Sequence, residues 1–408
     1  MARLASFAAA AIIGGSLLPL NAHAQSVQAI RFLGEQSYGA PGTPKPTFGG
    51  TTIGGLSGLD YDAATGSYVS NSDDQASPRF YTLTADITSA SFNGVTFTGV
   101  TSLLDPAGNA TFATGNNDFE NARLSADGSR VFITSEGNAG AGLKTSIYEF
   151  DRATGRQLNN FDTPSSFNIS PGHGTFGNLG LESMTFADDG TYLVANEGPL
   201  RQDSPAPNSN PTDPTIFNVA EPVRLVRYST ATNTALAQYI YTIDPLAEPT
   251  TATNFAVQGL VDILNLGNDH YLALERSFTV GGTAGGGTGY TIKLYQFSLT
   301  GATDVSGLDS VVGQSYTSVA KSLLLDFSTL RDAGNNPLVL DNIEALTLGP
   351  DLGGGERALL IVSDDNFSPA QKTQFLAFAI TQAPEPGAIV LLGVGLLGFA
   401  GIVRRPRK

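Results

Sequence analysis

In the segment LESMTFADDGTYLVANEG, residues 181–198, two carboxylates flank a strand–turn–strand pattern, Glu182 near its start and Glu197 near its end. A hairpin turning at about Asp189 sets residue 182 opposite 196–197, so the two acids are neighbours at the end away from the turn. The same arithmetic puts Glu120 beside Glu136, Glu344 beside Asp364 and Asp365, Gln258 beside Glu275, and Ser57 beside Asp73 and Asp74. Like charges opposed on a strand pair destabilise it and raise each other's pKa unless a cation lies between them. An all-oxygen donor set suits Ca²⁺, whereas Mg²⁺ demands a tighter octahedron. Zinc's usual ligands are scarce, with only His173 and His270 after residue 24 and no cysteine. The candidate metal ligands are therefore Asp73, Asp74, Glu120, Glu136, Glu182, Glu197, Glu275, Glu344, Asp364 and Asp365. Glu182 and Glu197 are also candidates for proton transfer in a metal-assisted reaction. Any single acid here could simply cap a turn; the repetition is what points to a cation.

One base stands where the next strand begins after each pair: Arg79, Lys144, Arg224, Lys293 and Lys372. Each lies four or six residues before an apolar anchor (Leu83, Phe150, Tyr228, Phe297, Phe378), and even spacing keeps base and anchor on one strand face. Placed at the same mouth as the acids they would suit an anionic phosphate or carboxylate substrate; as outward-facing bases they would only deter edge pairing. His173, in PGHG, lies in an insertion long enough to reach that mouth and is a candidate catalytic or substrate-contacting group, while His270 sits in a distant turn. The Gly-rich GLSGL and GGTAGGGTG precede no helix, so neither reads as a phosphate loop.

The elements that must hold these residues repeat five times: 56–74, 119–137, 181–198, 257–277 and 343–365. Each is a short strand, an Asp/Gly turn and a second strand ending in acid. A third strand follows each pair (RFYTLTA, SIYEFDR, RLVRYST, IKLYQFS, QFLAFAI), and a fourth follows in four of the five (VTFTGVTSLL, RQLNNFD, ALAQYIYTI, SLLLDFSTL). Four-stranded units repeated in this way predict an all-β fold, a β-propeller. The unpaired strand VQAIRFLGE at 27–35 is expected to complete the fifth unit and close the ring. Five blades are expected, with six as the alternative if residues 38–55 or a long insertion hide another.

Both ends read as processing signals. Arg3, an apolar run from Leu4 to Leu20 and the small residues Ala22 and Ala24 predict a cleaved signal peptide over 1–24. At the other end a Pro-Glu-Pro triplet precedes an uncharged run from Gly387 to Val403 and a basic finish of Arg404, Arg405, Arg407 and Lys408. This tail, 384–408, resembles the PEP-CTERM sorting signal of Gram-negative bacteria, which implies a membrane exosortase as processing partner; a permanent anchor is the alternative. The body between, 25–383, retains 17 bases and 36 acids, a net charge of −19, which disfavours nucleic acid and attracts cations. Without cysteine, an exported body has no disulfide to support it.

The segments GGLSGLDYD, YVSNSDD, LGLESMTFADDGTYLVANEGPL, YLALERSF, NIEALTLG, LLIVSDDNF and QKTQFLAF resemble the bacterial esterase-like phytase family over nearly all of residues 30–380, LERSF and SDDNF being the most specific. The resemblance implies a propeller that hydrolyses phosphoric or carboxylic esters, by analogy with calcium-dependent phytases whose bridged metal ions bind phosphate and activate water. Carried onto this chain it implies Glu182, Glu197, Glu275, Glu344, Asp364 and Asp365 as metal-site acids and Arg276 of LERSF as a phosphate contact. The chain departs from the pattern at Ser57 and Gln258 and in its few bases. The expected function is an exported, Ca²⁺-dependent monomeric phosphoesterase or esterase acting on an anionic small molecule; the alternative is a non-catalytic propeller binding an anionic surface or matrix ligand. Periplasmic, cell-surface and extracellular destinations all remain open.

Overall fold

Each repeat forms a four-stranded antiparallel sheet, and five sheets stand in a ring. The computed structural model describes residues 26–112, 117–204, 219–248 and 255–383; the signal segment, the sorting tail and most of the insertion after Arg201 lie outside the described residues. Numbered from the axis outward, blade 1 comprises Asp60–Asp62, Ser67–Ser72, Arg79–Ile87 and Phe92–Ser102. Blade 2 comprises Phe119–Leu124, Arg130–Ser135, Ser146–Asp151 and Gln157–Asp162. Blade 3 comprises Leu181–Phe186, Thr191–Asn196, Glu221–Ser229 and Ala235–Ile243, and blade 4 comprises Ala256–Gly267, His270–Thr279, Tyr290–Ser298 and Ala320–Asp326. Blade 5 takes Ile343–Gly353, Glu356–Ser363 and Thr373–Gln382 from the end of the domain and its outer strand, Val27–Tyr38, from the beginning. Ile30 lies opposite Ile380 and Phe32 opposite Phe378, so the two ends of the domain share one sheet. Residues 38–55 contribute only a two-stranded hairpin, Thr47–Phe48 with Thr51–Thr52, and no sixth blade.

The strands nearer the axis bury both faces because each sheet is sandwiched between two others, while the outermost strands stay partly exposed. Five apolar clusters fill the five gaps, such as Leu193, Val223, Leu260 and Tyr271 between blades 3 and 4, and Leu272, Leu294, Leu359 and Phe378 between blades 4 and 5. Close to the axis a buried ion pair joins blades 2 and 4: Arg123 Nη2 donates to both oxygens of Asp262, at 2.7 and 2.9 Å. The same guanidinium donates to the Leu59 carbonyl of blade 1 and, at 2.8 Å, to the Met184 carbonyl of blade 3. Asp262 also accepts from the Leu346 amide of blade 5 at 2.8 Å. One charge pair thus ties all five blades below the mouth, and its remaining donors and acceptors are satisfied as a buried pair requires.

Candidate functional site

The residue just past each second strand defines one ring. Asp73, Glu136, Glu197 and Asp364 donate their amides to the carbonyls of Gly55, Asp118, Gly180 and Asn342, the last three one residue before their inner strands begin. In blade 4 the residue facing Gly259 in the same way is Arg276. Four carboxylates and one guanidinium therefore occupy equivalent positions. A second ring comes from the inner strands, where a β-bulge in blades 2, 3, 4 and 5 interrupts the register at Glu120–Asn121, Glu182, Val261 and Glu344. Such a bulge re-aims a side chain, here toward the axis. Ser57 holds the corresponding place in blade 1, where it is buried and bonded to Asn71 and the Phe119 carbonyl.

These residues enclose a cavity of about 370 Å³ lined by Asp73, Asp118, Glu120, Glu182, Glu344 and Asp364 together with polar Gln75, Asn178, Asn342 and Asn366. Two groups bring three carboxylates to within 4.8 Å of one another: Asp118, Glu120 and Glu136, then Glu136, Glu182 and Glu197. Glu136 belongs to both. The packing that allows this depends on glycine: a Cβ on Gly259 would stand 2.2 Å from Glu197 Cγ, and one on Gly180 would stand 2.6 Å from Glu136 Cα.

Electrostatics follow from the crowding. Burial, reinforced by neighbouring carboxylates, pushes Glu120, Glu136, Glu182 and Asp364 well above the usual carboxylate range. Asp73 rises to about 8, through burial and the charges of Glu344, Asp118, Asp365 and Asp74. Glu344 rises to about 7, because burial outweighs the Arg276 guanidinium, and Glu197 is raised for the same reason. Arg276 donates to Glu197, to Asn342 and, at 2.5 Å, to Glu344. Among the described residues, buried Asp73 Oδ1 and Glu197 Oε2 have no hydrogen-bond partner, and Arg276 Nε likewise has no acceptor. Partnerless buried carboxylate oxygens in an all-oxygen cluster fit a hard divalent cation.

Other candidates lie elsewhere. Glu275 faces away from the axis, accepting from Tyr241 at 2.7 Å and from Lys321 at 2.5 Å, because it precedes the ring position by one residue and alternate residues face opposite sides. Gln258 pairs with Ser277 in register and donates to the Val219 carbonyl. Asp74 is bound to Arg79 at 2.6 Å, and Asp365 accepts from Lys45, the Gly55 amide and Thr373. The expectation that the five strand-start bases share the acidic mouth is corrected: none lines the cavity. Arg79 is held by Asp74, Lys144 by Asp162, Arg224 by Asp203, Lys293 by Asp244 and Lys372 by Glu35. Their even spacing from the anchors directs them to blade flanks and loops instead. His173 is 41% exposed on a loop, 3.5 Å from Asp309, and is also outside the cavity lining. Asp118 is the cavity acid that the pairing arithmetic missed; it sits ahead of its strand, and the run DFE at 118–120 is the signal that could have found it.

The family model described as the esterase-like activity of phytase matches residues 51–367. The chain belongs to that phytase-like family. Residues 382–408 match the PEP-CTERM protein-sorting motif, a mark of export and processing. No curated protein matches the chain. Among solved structures it is similar to an endo-arabinase from Bacteroides thetaiotaomicron VPI-5482, at 13% identity and TM-score 0.44, over 86% of this chain and 99% of that one. It is also similar to the catalytic domain of the Coprinopsis cinerea GH62 alpha-L-arabinofuranosidase, at 11% identity and TM-score 0.41, over 85% and 97%. Among the described residues no helix is long and apolar enough to cross a membrane.

Proposed function

We propose that this phytase-like propeller is an exported hydrolase of phosphoric or carboxylic esters that works with a divalent cation, Ca²⁺ by the hardness of its oxygen donors. The observation that carries the reading is the pair of three-carboxylate groups sharing Glu136 beside a cavity open to a small molecule. Asp118, Glu120, Glu136, Glu182 and Glu197 would hold the cation. Bound there, it would supply Lewis-acid polarisation of the ester and a lowered pKa for water. The protein's own contribution is positional. Arg276 orients Glu197 and Glu344 and places a positive charge in the cavity lining. Asp73 stands outside both groups yet lines the same cavity, and its raised pKa suits it to hand a proton to the leaving oxygen. Family membership supports the reaction class, and the sorting motif supports an exosortase-type processing partner and a destination beyond the inner membrane.

The test is turnover of a generic phosphomonoester and a generic carboxylic ester, each with Ca²⁺ and with chelator. Hydrolysis of one, abolished by chelator and restored by Ca²⁺, is expected. Hydrolysis of neither, despite tight Ca²⁺ binding, would leave the mouth as a binding surface for an anionic ligand.

A further inference from the structure

The cavity has two unlike sides. Blades 1, 2, 3 and 5 supply its carboxylates, whereas blade 4 supplies none: its two ring positions are Val261 and Arg276. Above them blade 4 builds an apolar wall. Val257, Phe278 and Tyr290 lie directly opposite one another on three successive strands, and Phe255 extends the row at 50% exposure. The rings of Phe278 and Tyr290 are 4.6 Å apart and tilted, and those of Phe255 and Phe278 are 6.4 Å apart. Phe176 and Leu179, both buried, back the wall. All four wall residues line the same cavity as the acids.

We infer that the ester taken at this site carries a single anionic or acyl head and a flat aryl group, the head facing the carboxylate side and the ring lying on the Phe255–Phe278–Tyr290 wall. This rests on the hydrolase reading above and deepens it. A polyanion is disfavoured, because among the described residues Arg276 is the cavity's only lining base and two carboxylates already neutralise it. A sugar is disfavoured as well: the side chains of Phe255, Val257 and Phe278 offer no polar atoms, and the Tyr290 hydroxyl, which accepts from Gln371 at 3.0 Å, has only its O–H left to donate, so most hydroxyls placed on the wall would lose hydrogen bonds to water. An aryl ring loses none and gains offset or edge contacts with the wall.

The probes are 2-phenylethylphosphonate and propylphosphonate, whose C–P bonds resist hydrolysis, titrated calorimetrically into the Ca²⁺-loaded chain; turnover of the matching phosphate monoesters is measured in parallel. The leaving alcohols of the two esters have similar acidity, so any preference reads the ring rather than the chemistry. The aryl probe should bind about tenfold more tightly, the size of one well-packed ring contact. Phe278→Ala and Phe255→Ala should each erase most of that preference while leaving Ca²⁺ binding unchanged, which also reports that the variants fold. Equal affinity of the two probes, no measurable binding of either, or a preference that survives both substitutions would overturn the inference, as would tighter binding of glucose 6-phosphate than of the aryl probe. Ring preference without turnover would sink the hydrolase reading alone, and turnover without ring preference would sink this inference alone.

Discussion

Glu275 and Arg276 are chain neighbours that face opposite sides of one strand, and the difference decides what blade 4 gives the site. The sequence makes Glu275 conspicuous, because four other repeats end their second strand in acid; the register shows that the equivalent residue is the base that follows. Pairing arithmetic was accurate enough to bring Glu182 near Glu197, but it assumed regular strands. The bulge that displaces Val261 in blade 4 has no residue signature of its own. Arg276 acts as an internal cation within the ring, so Arg276→Gln should tighten Ca²⁺ binding by about tenfold or more, as removal of a unit charge a few ångströms away implies. The same change should lower stability in chelator, where Glu197 and Glu344 lose their counter-ion. Glu275→Gln should leave Ca²⁺ affinity unaltered and only weaken the Lys321 contact. Calorimetry on both variants checks this, and a weakened Ca²⁺ affinity in Glu275→Gln would return that residue to the site.

At the scale of elements, the five-fold repeat and the closing strand were legible because apolar alternation and Asp/Gly turns are local signals. The tie between blades 2 and 4 was not, since Arg123 and Asp262 are 139 positions apart and nothing local marks either as axial. The strand-start bases were misplaced for a related reason: most of their partners, such as Asp203 for Arg224 and Glu35 for Lys372, sit in loops or in the closing strand. Because the Arg123–Asp262 pair meets all five blades, Arg123→Ala should leave Asp262 buried without its partner and cost about 3–5 kcal/mol, the usual penalty for breaking a buried pair. Urea unfolding measures it. Replacing both residues by apolar ones of similar size should cost much less, and an equal loss in the double variant would show that the pair's charge is not what matters.

For the molecule as a whole, the acidic ring should link stability to pH and, if it takes a cation as proposed, to metal. The carboxyl groups of Asp73 and Glu344 have folded pKa values of about 8 and about 7, above the ordinary value near 4 expected when unfolded. The folded state therefore binds protons more tightly, and in chelator stability should be greatest at about pH 4–5 and fall as pH rises through about 8. A cation needs those groups ionised, so Ca²⁺ should offset the loss, and the gap in Tm between Ca²⁺ and chelator should widen from pH 5 to pH 8. A gap that stays constant across this range would mean that the ring does not bind the ion. Cation binding by the ring turns on Glu136, the carboxylate common to both groups, and calorimetric Ca²⁺ titration of the native chain, of Glu136→Gln and of a control, Glu356→Gln, whose carboxylate pairs with Arg31 at the surface, tests it. Gln keeps the size and one acceptor oxygen but loses the charge. Ca²⁺ should bind the native chain and the control alike and bind Glu136→Gln at least about tenfold more weakly; equal affinity for all three would mean that the ring does not hold the ion.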